Sequence, residues 1–157
     1  MSEYNYRIAV PEDKEAIYDM CVNFYMFSEY SKHRPYEPDK VLEMIDWYLS
    51  RPLNEAVILL LTYKDYPVGM IGLISAPAPF WYGFIASEQV WWVDPNHRGK
   101  HSLGMINLAE EWAKKSGCLG IAFSALNSND GVTKIYEKKN YKLSELAYYK
   151  DIRQWLP

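Results

Sequence analysis

The chain has little of what marks special environments. Its 157 residues include two cysteines, Cys21 and Cys118, with no C-x-x-C and no cysteine–histidine spacing. That argues for reduced, buried thiols over a disulfide or a zinc site, and no metal is expected. No apolar run approaches the ~18 residues of a membrane span, and MSEYNYRIAVPEDKE meets charge too early for a secretion signal. A cytoplasmic protein without a membrane partner is expected. Repeats, low-complexity tracts and long linkers are missing too, so residues 1–157 read as one domain. Charge is not strongly of one sign: the net is −3, and residues 94–142 hold eight Lys/Arg against five Asp/Glu. This modest local excess suits a small phosphorylated cofactor and falls short of a nucleic-acid footprint.

What is present is a core-forming composition, 49% hydrophobic. Residues 6–10 read as a strand. Pro11 suits a first helical turn, and the following helix places Ile17, Met20, Cys21 and Phe24 on one face. A loop with His33, Arg34, Pro35 and Pro38 precedes a helix over 39–49, ended by Arg51-Pro52. Residues 56–63 and 68–75 read as an antiparallel hairpin turning at Lys64–Pro67. Pro77 and Pro79 make 76–83 a loop before a strand over 86–93. A helix over 102–116 carries Met105, Ile106, Ala109, Trp112 and Ala113 at three-and-four spacing and stops at Gly117. Then come a strand over 119–125, a helix over 131–139 with Asn140 as left-handed cap, and a closing pair of strands over 141–152. The order βααβββαβαββ implies an α/β protein: a mixed sheet with helices on both faces.

The most informative stretch is 90–108, VWWVDPNHRGKHSLGMINL, where a strand stops at Asp-Pro, turns through basic residues and enters a helix. A helix start has unpaired N–H groups and partial positive charge, so this join offers pyrophosphate a cradle.

VDPNHRGK before a helix is similar to the R-x-x-G-x-G/A pyrophosphate loop of the GNAT superfamily of acyl-CoA-dependent N-acetyltransferases, and Asn129 followed by Tyr136-Glu-Lys is similar to that family's N-x(6)-Y-E-K segment. The element order resembles the family's across nearly the whole chain. The spelling ASEQVWWVDP is also similar to small acetyltransferase-like proteins of tailed bacteriophages. In the loop, counting from Arg98 puts the two later glycine slots on His101 and Leu103; counting from the helix puts Lys100 and Ser102 there. The second register keeps the helix's apolar phase.

The resemblance implies acetyl transfer from acetyl-CoA to an amine, direct and without metal. It implies that Arg98, Gly99, Lys100, His101, Ser102 and Leu103 hold pyrophosphate, and that backbone at Trp92 and Val93 meets pantetheine. It also implies that a Val93 N–H polarises the thioester and that Tyr136 assists the departing sulfur. Asn129 caps its helix or touches pantetheine. An amine with a pKa of ~10.4 must lose a proton before it attacks. Glu88 is the candidate base, five residues before Val93 and, by straight alternation, on the opposite face; a solvent-facing carboxylate is the plain alternative. His97 and His101 flank the turn as solvent or phosphate contacts. The loop with Tyr25, Phe27, Tyr30, His33 and Tyr36 suggests a pocket for a flat or amphipathic acceptor, whereas Glu29, Glu37, Asp39 and Glu43 hint at a cationic one.

The acceptor, a small molecule or a peptide amine, and homodimer formation stay open. Two other readings remain: a weakly active acyl-CoA sensor, and an interaction module marked by Trp81, Trp91, Trp92 and Trp155.

Overall fold

A computed structural model describes residues 2–126 and 130–152. Its centre is β2 (Ala56–Tyr63), AVILLLTY, buried at every position but the last. Such a run needs cover on both faces. Alternate side chains part accordingly: Val57, Leu59 and Leu61 enter one core cluster, while Ala56, Ile58 and Leu60 enter another.

Lys64 and Asp65 both take positive φ, 49° and 65°, forming the two-residue turn into β3 (Tyr66–Pro77). β3 runs longer than 68–75. Pro77 ends it, paired with Phe84, and Ala78 N–H donates to Gly83 C=O. That pattern turns the Pro77 nitrogen away from β4, so its missing N–H costs no ladder bond and the expected loop from 76 is shortened. β1 (Tyr4–Ile8), β2, β3 and β4 (Phe84–Val93) are antiparallel neighbours, and β5 (Cys118–Ala122) joins β4 in parallel.

Helices α1 (Lys14–Phe27) and α2 (Pro38–Ser50) cover one face with Ile17, Met20, Cys21, Ile45 and Tyr48. α3 (Lys100–Lys115) covers the other with Met105, Ala109, Trp112 and Ala113. Burying each large apolar side chain contributes roughly 1.5–3 kcal/mol, so the heptad-like spacing of α3 is what docks it. α4 (Asp130–Lys138) follows β5. It ends in a Schellman motif: Asn140 has φ 64°, Tyr141 N–H donates to Tyr136 C=O at 2.9 Å, and Asn140 N–H donates to Glu137 C=O at 3.0 Å.

The closing pair of strands expected over 141–152 is absent; these residues carry no ladder. Most are exposed, including Leu143, Leu146 and Tyr148. The segment attaches by side chains instead: Tyr141 donates to Glu110 at 2.7 Å, Asp151 pairs with Arg34 at 2.8 Å, and Tyr149 packs on His33. Alternating apolar residues make a strand only where an edge stands within backbone reach. Among the described residues, no helix is long and apolar enough to cross a membrane.

Candidate active site

The sheet opens at β4. Its register with β3 pairs Leu73 with Glu88 and Gly72 with Val90, leaving Gln89 as an extra residue. Such a bulge bends a strand and shifts its alternation. Ala86 and Val93, seven apart, therefore lie in the same core cluster as α3. Glu88, opposite Leu73 of that cluster, comes to the face of Val93, contrary to the straight-alternation expectation. Pairing with β5 stops at Ser87–Ala122, so β4 beyond Ser87 has a free edge among the described residues.

Val93 presents its backbone at that edge. Asp94 N–H donates to Val68 C=O at 2.9 Å, so alternation aims Trp92 at β3 and Val93 away from it. The Val93 carbonyl accepts from Arg98 Nε at 3.0 Å. Its N–H points to the same open side. Trp92 thus offers no backbone group there; its buried ring lies under Phe27 at 5.2 Å and under the Arg98 guanidinium at 5.1 Å.

The turn into α3 is built around Gly99, with φ 133° and ψ −144°. A Cβ there would meet open space, so the backbone conformation, not crowding, selects glycine. Gly99 N–H donates to Ser102 Oγ at 3.0 Å, and that hydroxyl donates to Gly99 C=O at 2.7 Å. Leu103 N–H donates to Gly99 C=O at 3.2 Å and is spent inside the helix, which removes Leu103 from the expected amide set. The N–H groups of Lys100, His101 and Ser102 have no acceptor among the described residues. Three parallel donors beside a basic side chain fit a pyrophosphate.

The two histidines of the turn face β1 rather than solvent. His101 stacks on Tyr4 at 4.1 Å, and His97 Nδ1 pairs with the Tyr4 hydroxyl at 2.9 Å. Tyr6 donates to the His101 carbonyl at 2.8 Å, and a Cβ on Gly104 would stand 2.1 Å from that hydroxyl. β1 therefore fixes the loop, with the His101 carbonyl held by Tyr6 and its ring stacked on Tyr4.

Glu88 and Tyr136 lie across the splay. Burial pushes the Glu88 carboxyl up to about 7, against a hydrogen bond from Ser124 N–H at 3.0 Å that favours the ionised form. Tyr136 is buried among Trp91, Phe123 and Tyr141 and donates to Ser124 C=O at 3.0 Å. Desolvation, then the Glu88 charge, raises its phenol far above the usual range. It stays protonated as a donor. A phenol has one proton to give, so service at a departing sulfur requires its O–H to leave Ser124.

On the far side of the bulge lies a cavity of about 370 Å³ between α1, α2 and β4. Tyr25 and Tyr30 line it, as do Tyr36, Gln89 and Val90. His33 does not line it; its ring packs on Tyr149 at 4.4 Å. Phe27 is exposed and covers Trp92. Asn129 lies outside the described residues. No group of three or more His, Cys, Asp or Glu among the described residues is arranged to hold a metal. Sequence reading missed Ser124 and Gln89, whose contributions are a backbone bridge and an extra residue, and neither has a side-chain signature.

A comparison with curated proteins finds no match. Among solved structures, a transcriptional regulator from Bacillus halodurans C-125 superposes with TM-score 0.79 at 18% identity, over 95% of this chain and 99% of that one. A GNAT family acetyltransferase of Staphylococcus aureus subsp. aureus USA300_TCH1516 gives 0.68 at 15%, over 97% and 100%. AAC(6')-Iy, in complex with a bisubstrate analogue joining CoA to acetylneamine, gives 0.75 at 12%, over 96% and 99%. At these identities the likeness is one of fold. The family model described as Acetyltransferase (GNAT) family matches residues 16–141. This chain belongs to the GNAT acetyltransferase family.

Proposed function

We propose that the protein is an N-acetyltransferase that moves an acetyl group from acetyl-CoA to a primary amine by direct attack in a ternary complex. The observation that carries this is the tie between loop and edge: Arg98 Nε on the Val93 carbonyl fixes three unpaired N–H donors, at Lys100, His101 and Ser102, beside the free half of β4. Acetyl-CoA supplies an activated acyl thioester, and two solved structures of AAC(6')-Iy, which shares the fold, hold a CoA conjugate and CoA.

This chain's residues then divide the work. The three amides, with Lys100 and Arg98 adding positive charge, bind pyrophosphate, and Gly99 permits their approach. Val93 N–H polarises the thioester carbonyl, a donor type worth ~2.7–4 kcal/mol in the transition state. Glu88 takes the proton of the incoming ammonium, directly or through water. A carboxyl near 7 accepts that proton more readily than an ordinary one and is still half ionised at neutral pH. As nitrogen bonds to the acyl carbon and the carbon–sulfur bond breaks, the Tyr136 phenol hydrogen-bonds the departing thiolate, which takes up the second proton shed by the nitrogen to leave as the free thiol.

Release of free thiol from acetyl-CoA across an amine panel, with the N-acetyl product weighed by mass spectrometry, tests the reading. Equal amounts of thiol and product are expected. Tight acetyl-CoA binding without thiol release for any amine contradicts it and favours a sensor.

A further inference from the structure

The cavity beside the β4 bulge restricts what the acceptor can be. Its 370 Å³ lies at the small end of the ~300–1,000 Å³ usual for small-molecule sites. The walls are Phe24, Tyr25, Tyr30, Tyr36, Val41 and Met44. Tyr25 has given its hydroxyl proton to the Arg34 carbonyl, so it serves the cavity as a ring. Tyr25 and Tyr36 stand 5.0 Å apart, Phe24 and Tyr30 6.3 Å, which makes two aromatic pairs around one space.

The charged side chains of the lining are Glu37 and Lys40, of opposite sign. Of the acids that suggest an anionic wall in the sequence, Glu29 pairs with Lys32 at 2.8 Å and Glu43 with Lys40 at 3.2 Å, which leaves Glu37 as the single carboxylate of the lining. A polycation entering here would give up hydration without several carboxylates to replace it. An aromatic or other compact apolar body gains ring contact and loses nothing.

Resting on the acetyltransferase reading above, we infer that the acceptor is a monoamine carrying one compact aromatic body, and not a polyamine or aminoglycoside. Gln89 and Val90, which line the cavity, directly follow Glu88, so the cavity opens beside the strand that carries the candidate base.

Two measurements test this separately from the acyl-transfer chemistry. Calorimetry of the intact protein with CoA present compares phenethylamine and tryptamine with butylamine, spermidine and neamine. The aryl amines are expected to bind at least ten-fold tighter than the other three. Spermidine or neamine binding as tightly as the aryl amines overturns the inference, whether or not any amine is acetylated. Tyr30→Ala, at an exposed position that folding tolerates, is expected to weaken aryl amine binding about five-fold and leave butylamine unchanged. An equal loss for both, or none for either, overturns the assignment of this cavity. Thiol release tracks the broader reading: aryl amine binding without turnover leaves the pocket assigned and removes the acetyltransferase.

Discussion

Glu88 and Tyr136 meet on the backbone of Ser124: its N–H donates to the carboxylate at 3.0 Å, and its C=O accepts from the phenol at 3.0 Å. The candidate base and the candidate donor to sulfur thus share one peptide segment just past β5. Anything that moves Ser124 moves both.

Glu88→Gln should lower kcat/KM about 100-fold, the lower end of what positioned general bases contribute. The wild-type rate should rise with pH through about 7, where the buried carboxyl ionises, and that limb should vanish in the variant. Acetyl-CoA affinity should stay within two-fold. A pH–rate profile measured with one amine checks it; an unaltered profile removes the base assignment.

The same carboxyl should show in stability. Its value rises from 4.5 to about 7 on folding, so the fold favours the neutral form. That contribution is complete below about 4.5 and is lost as pH climbs through about 7. Glu88→Gln, neutral throughout, should be more stable than wild type at pH 8 by on the order of 1 kcal/mol, with solvent screening at this partly exposed site limiting the gain. That is about 3 °C in Tm, and the gap should close at pH 4. Thermal melts at the two pH values decide it; a gap independent of pH contradicts the burial argument.

Tyr136→Phe should reduce kcat about ten-fold while acetyl-CoA affinity changes less than two-fold, since only the hydroxyl is removed. Losing the donor also frees the Ser124 carbonyl. Steady-state kinetics beside calorimetry separate the effects. If neither parameter moves, the tyrosine is packing against Trp91 and Phe123.

Gly99→Ala tests the loop. At φ 133° an alanine is strained by about 1–3 kcal/mol although nothing stands in its way. Acetyl-CoA affinity should fall at least ten-fold as the amides at 100–102 lose their alignment. Retained affinity would move the pyrophosphate site elsewhere.

Much of this was legible in the residues. The α3 spacing of Met105, Ala109, Trp112 and Ala113 gives a helix whose buried face is the one observed. Asn140 signals its own cap, which sets the last turn that carries Tyr136. The bulge was not legible, because nothing in ASEQVWWV marks Gln89 as supernumerary; bulges come from pairing, which is a property of two strands. For the same reason the face of Glu88 was misjudged, and the strands expected over 141–152 found no edge. In the sequence the histidines of the turn read as solvent or phosphate contacts because the tyrosines that hold them, Tyr4 in particular, are some ninety residues away.

The amides of Lys100, His101 and Ser102, together with Val93, are the proposed acetyl-CoA contact. A titration of ¹⁵N-labelled protein with acetyl-CoA, followed by amide chemical shifts, addresses those four groups individually. All four should shift at saturation, and 3′,5′-ADP, which lacks both pyrophosphate and thioester, should leave Val93 in place. Shifts that spare these amides while others saturate would contradict that contact.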